Sequence, residues 1–89
     1  MSALAEASLK VRWTEEYLRN INAVLRDPST PGIGGYCVAV VSLTVAQELP
    51  GALPDRALLE AAARCRQPRD AHALAMDWIR AGKRKERSS

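Results

Sequence analysis

His72 is the chain's single histidine. A general base or a metal ligand needs partners that converge on it. The residues near it in sequence are Asp70, Met76 and Asp77, with Cys65 seven positions back. His72 and Met76 stand four apart and share a helix face, but one imidazole and one thioether define no metal preference. The plain reading is a surface histidine. Cys37 and Cys65 are 28 positions apart, which matches no zinc-ligand spacing and no disulfide-rich scaffold. Both fall among apolar residues, where cysteine packs as a small hydrophobe. Cys65 is flanked by Arg64 and Arg66, a setting that favours the thiolate when the side chain is exposed. The sequence leaves a Cys37–Cys65 bridge open. Glu15 and Glu16 are adjacent, so on a helix they point apart and form no paired-carboxylate site. No Glu-x-x-His of the di-iron bundles occurs. A Ser42 nucleophile would need His72 and an acid that no spacing supplies. The expectation is a protein that is not an enzyme, with no catalytic residue, no metal and no cofactor.

Eighty-nine residues argue for one domain with a modest core. Apolar residues make up 47%, enough to pack that core, whereas aromatics are 4%: Trp13, Tyr17, Tyr36 and Trp78. The core is therefore aliphatic and rich in alanine, which suits closely approaching helices. A chain this small often gains stability from an oligomer or a partner. The longest apolar stretch, 36–46, is interrupted by Ser42 and Thr44 and is too short to span a bilayer. There is no basic-then-apolar leader at the start. These features predict a reduced, cytoplasmic protein with no membrane partner.

The periodicities predict an all-α fold: a small bundle of about four helices with a long N-terminal helix, expected to be oligomeric. That first helix spans about 2–27. Leu4, Val11, Leu18 and Leu25 repeat every seven residues, with Ala7, Thr14 and Ile21 at the second seam position. Tyr17 and Val24 widen the stripe, and Glu15–Arg19 is a favourable i,i+4 pair. Pro28 stops the helix near Arg26. The segment 27–35, DPSTPGIGG, reads as a turn where two helices cross closely, with Ser29 or Thr30 able to cap the next helix. It has neither a preceding strand nor a Gly-Lys-Ser/Thr, so it is no phosphate loop.

Residues 36–49 carry Val38, Val40, Val41, Thr44 and Val45, which favour a strand, and are apolar on all sides. Periodicity does not choose between a buried strand and a buried helix. The length of the stretch and the want of a second strand to pair with favour a central helix. A further helix follows over 55–66, with Glu60 pairing Arg64, and a last one from Pro68 or Arg69 to Ala81. The last has a stripe of Ala71, Leu74, Ala75, Trp78 and Ile79, and Gly82 as a stop.

The net charge is +3, and position matters more than sum. The tail holds Lys83, Arg84, Lys85 and Arg87, four of the thirteen basic residues, against Glu86. Nine basic and nine acidic residues remain in 1–82, so that domain is neutral and the basic character belongs to a flexible tail, 83–89.

Two functions follow. The first is a small non-catalytic protein–protein interaction module, a homodimer or an adaptor or accessory subunit of a larger complex. Its interface is Leu4, Val11, Trp13, Tyr17, Leu18, Ile21 and Leu25. The alternative is a nucleic-acid-binding protein or transcriptional regulator using the C-terminal helix pair, with Arg64, Arg66, Arg69 and the tail residues Lys83, Arg84, Lys85 and Arg87 on phosphates. Against the alternative, residues 70–80 offer only His72 and Arg80 to read bases, and Asp70 and Asp77 repel phosphate.

Overall fold

A computed structural model describes the backbone of residues 3–88 and the side chains of residues 5–82. Five helices follow one another: α1 (Ala3–Lys10), α2 (Glu15–Leu25), α3 (Gly34–Glu48), α4 (Arg56–Ala63) and α5 (Pro68–Ser88). The fold is all-helical, with five helices where the sequence suggests about four.

The difference lies in the long N-terminal helix, which is two helices. The chain leaves helical geometry after Lys10 and re-enters it at Glu15. Thr14 sits in extended backbone (φ −99°, ψ 159°), and its hydroxyl accepts the Tyr17 N–H at 3.1 Å. It is thus an N-cap, with Glu15 and Glu16 placed in the first turn where the helix dipole favours anions. Val11, Trp13 and Thr14 are β-branched or aromatic residues of modest helix propensity, so the break costs little. It ends the heptad register. In α2 the buried face is Tyr17, Ile21 and Val24, spaced i, i+4, i+7. Leu18 and Leu25, in phase with Val11 only on an unbroken helix, turn outward.

The segment 36–49 is a helix. α3 is buried along most of its length, and β propensity gives way to burial because α3 touches all four other helices among the described residues. Its two buried hydroxyls are satisfied: Thr44 Oγ1 donates to the Val40 carbonyl at 2.8 Å, and Ser42 Oγ is hydrogen-bonded to the Tyr17 hydroxyl. Such pairing is what makes polar groups tolerable in a core.

Gly34 opens α3 against the end of α4. A Cβ there would stand 2.8 Å from the Ala63 carbonyl oxygen, so the glycine permits the crossing. Neither Ser29 nor Thr30 caps α3; its N-cap is Ile33, without a side-chain bond. Ser29 instead donates through its N–H and its hydroxyl to the Asp27 carboxylate at 2.9 and 2.8 Å, and Thr30 Oγ1 donates to the Val24 carbonyl. The loop is thereby tied to the end of α2.

Asp55 caps α4 by accepting the Leu58 N–H at 2.8 Å. The helix ends at Ala63, short of the expected Arg66, and Glu60 pairs with Arg56 at 3.2 Å rather than with Arg64. Leu59 and Ala62 of α4 and Ala71 and Ala75 of α5 are fully buried, and α3, α4 and α5 all pack on one another, with alanines that let helices approach. Gly82 is not a stop: α5 continues through it to Ser88. With nothing beside it to require φ above zero, a glycine costs a helix only about 1 kcal/mol.

Candidate interaction surface

The surface begins at the α1–α2 break. Trp13 is half-buried and its ring lies 5.6 Å from that of Tyr17, tilted by 37°. Its indole N–H is buried and finds no acceptor among the described residues. The phenol of Tyr17 reaches through the core to Ser42, so this one side chain ties α2 to α3. Burial pushes the Tyr17 hydroxyl above its ordinary pKa, and the hydrogen bond from Ser42 offsets part of that rise.

With α2 anchored in this way, its opposite face is fixed in solvent. Leu18 is 44% exposed and Leu25 is 36% exposed, two turns apart, with exposed Asn22 between them. Glu15 and Arg19 flank the row as a loose, exposed pair at 3.9 Å. Seven residues were expected to form one interface, and the structure separates them. Val11, Tyr17 and Ile21 belong to the chain's own core, Trp13 is half-buried against it, and Leu18 and Leu25 face out. The side chain of Leu4 lies outside the described residues. The structure adds three exposed apolar residues: Leu9 on α1, and Ile33 and Tyr36 one turn apart at the start of α3. Leu9 lies off the heptad and Ile33 sits in a glycine-rich loop, so no periodicity marked them.

An open cleft of about 430 Å3 lies beside this surface, lined by Thr14, Glu16, Tyr17 and Asn20 of the α2 end and by Leu53, Pro54, Asp55 and Arg56. Two of its three charged groups are engaged elsewhere: Asp55 caps α4 and Arg56 pairs with Glu60. Asp27, exposed at the start of the loop, is held below the usual carboxylate range by the Ser29 N–H and hydroxyl, with a smaller attraction from Arg64.

The second set of expected residues clusters at the elbow between α4 and α5. Arg64, Arg66 and Arg69 are all exposed, and none takes part in the three ion pairs among the described residues. His72 is exposed on α5. Lys83, Arg84, Lys85 and Arg87 fall within α5, and their side chains lie outside the described residues.

The cysteines are brought together. Cys37 is buried on α3, and its thiol donates to the Cys65 carbonyl at 3.5 Å. Cys65 is half-buried, and its thiol donates to the Ala61 carbonyl at 3.5 Å. Burial raises both thiols above their ordinary pKa, Cys37 further by its neighbour Cys65 and by Asp70, and Cys65 by Asp70. The expected thiolate at Cys65 is therefore not favoured: burial first and Asp70 second both hold the thiol protonated.

Among the described residues no three His, Cys, Asp or Glu side chains converge as a metal site would require, and no helix is long and apolar enough to cross a membrane. Comparison with known protein families, characterised proteins and solved structures finds no match.

Proposed function

We propose that this protein is a small protein-binding module that pairs with a second copy of itself through the outer face of α2. The observation that carries the reading is the exposure of Leu18 and Leu25, two turns apart on a helix whose other face is locked in the core. An apolar pair held rigidly at the surface loses little conformational entropy on binding. A two-fold contact sets residue i against j and j against i. Antiparallel α2 helices place Leu18 against Leu25 of the other copy. The same arrangement brings the acidic first turn, Glu15 and Glu16, toward the end at which the other copy carries Arg26. Charge and apolar register therefore favour the same pairing. An adaptor or accessory subunit would present the same face to a different helix.

Light scattering of the eluting protein tests this. The chain weighs 9.7 kDa, so a pair has twice that mass. The wild type is expected at the doubled mass at about 100 μM, and Leu18→Asp at the single mass with unchanged circular dichroism, because Leu18 is not in the core. A single mass for the wild type, or a doubled mass for Leu18→Asp, overturns the pairing.

One observation favours a second reading, nucleic-acid binding from the cytoplasm of the cell. α5 runs unbroken into the basic segment. Positions 69, 73, 76, 80, 83 and 87 step by four and three, and so share one side of the helix. They are Arg69, Ala73, Met76, Arg80, Lys83 and Arg87, a row without an acidic residue. A basic row of this kind binds phosphates without reading sequence. Titration with random-sequence duplex DNA and RNA at two salt concentrations, with the full chain and residues 1–82, tests it. Salt-sensitive binding lost on truncation supports the row, and absence of binding at low salt rejects it.

A further inference from the structure

Cys37 and Cys65 meet at one point although 28 positions separate them. The Cys37 thiol, buried in the first turns of α3, lies 3.5 Å from the backbone oxygen of Cys65. Cys65 stands after the last turn of α4, in the short connection to α5, and its side chain is partly open to solvent. Its thiol currently donates to the Ala61 carbonyl, a weak bond that a rotation about its Cα–Cβ bond releases. The two thiols also sense one another electrostatically, since Cys65 raises the pKa of Cys37. One cysteine is thus accessible and the other is buried directly behind it. An attacking thiol with a resolving partner has this arrangement.

We propose that Cys37 and Cys65 are a redox-modifiable thiol pair that a low-molecular-weight disulfide oxidises to an intramolecular disulfide. The Cys65 thiolate attacks one sulfur of the small disulfide. A Cys65–small-thiol bond forms, the small disulfide's S–S bond breaks, and one small thiolate leaves. The Cys37 thiolate then attacks Cys65 Sγ, the Cys37–Cys65 bond forms, and the second small thiolate leaves. Two protein thiols are oxidised, one small disulfide is reduced to two thiols, and the two protons released are taken up by the leaving thiolates. Burial raises both thiols, so exchange at neutral pH is slow and accelerates as pH rises. The bond would staple α3 to the α4–α5 connection and close the loop 37–65, which holds most of α3 and all of α4. Closing a loop of this length restricts the unfolded chain and favours the folded one.

The probe is oxidised glutathione at pH 8, added to the folded, fully reduced full-length chain, with the products read by intact mass and by a non-reducing digest. The expected product has lost two hydrogens and yields one linked peptide containing Cys37 and Cys65. Its melting temperature is higher by about 5 °C or more. Cys37→Ser, which removes the resolving thiol, is expected to accumulate one glutathione on Cys65. Cys65→Ser is expected to leave Cys37 unmodified. A stable glutathione adduct on the wild type, a disulfide between two chains, or reaction only after unfolding each overturns the proposal. Because light scattering on the reduced protein reads pairing in the absence of any disulfide, failure here is distinguishable from failure of the α2 pairing.

Discussion

Replacing Gly34 by alanine tests the packing most sharply, because Gly35 beside it supplies an internal control. Both glycines lie in the first turn of α3, and neither has a positive φ. A Cβ on Gly34 would stand 2.8 Å from the carbonyl oxygen of Ala63, whereas ordinary contact begins at 3.4 Å. It would also run into the Thr30 methyl, which can rotate away, but the Ala63 oxygen is backbone held by α4, so α3 and α4 would have to separate by about 0.6 Å where they cross. Overpacking of that kind costs about 1–3 kcal/mol. A Cβ on Gly35 meets nothing within 4 Å. Alanine there keeps the same helix and gains about 0.5–1 kcal/mol from lower backbone entropy in the unfolded chain. For a domain of this size each kcal/mol moves the melting temperature by about 4–8 °C. Thermal melts followed at 222 nm should therefore place Gly34→Ala below the wild type and Gly35→Ala at or above it. If Gly34→Ala melts at or above Gly35→Ala, the α3–α4 crossing is not as close as the structure has it.

Other consequences follow from single contacts. Tyr17→Phe leaves the Ser42 hydroxyl buried without its partner and should cost about 1–3 kcal/mol; Ser42→Ala combined with it should cost less than the two separately, a coupling that urea melts of the four proteins would read. Thr14→Ala should lose about 1 kcal/mol from the missing N-cap, and Thr14→Ser should recover most of it. Because burial raises the Tyr17 pKa, this residue's contribution to stability is present in full below about pH 10, the unfolded value, and is lost as pH rises through the folded one. The melting temperature should fall in that alkaline window and fall less in Tyr17→Phe. Asp27 has the opposite sign: its lowered pKa contributes stability above the usual carboxylate range that is lost as the solution is acidified, and Asp27→Asn should flatten the acid limb of the profile.

The aliphatic, alanine-rich helical fold was legible in the periodicity of 55–66 and 68–81, and in the length of 36–49. The break at Thr14 was not, because a heptad count accepts a threonine at a seam position on spacing alone. The counter-signal was present in the same residues: a threonine followed by two glutamates is how a helix begins. Missing it aligned Leu18 and Leu25 with the core and made one interface of seven residues that the fold divides between core and surface. Gly82 misled in a different way. A glycine after an apolar stripe resembles a helix end, but a stop requires left-handed backbone, and α5 passes through this position as an ordinary helical turn. The proximity of Cys37 and Cys65 could not be read from spacing at all, since it depends on how α3 crosses the end of α4.

If the outer face of α2 is the binding surface, self-association must register there first. A dilution series of amide NMR spectra of the wild type, from about 500 to 10 μM, tests it residue by residue. Concentration-dependent shifts are expected to centre on Leu18, Asn22 and Leu25, with α3 and the face of α5 that packs on it unchanged. Spectra that do not move across that range, or shifts centred on Arg64, Arg66 and Arg69 instead, would contradict it.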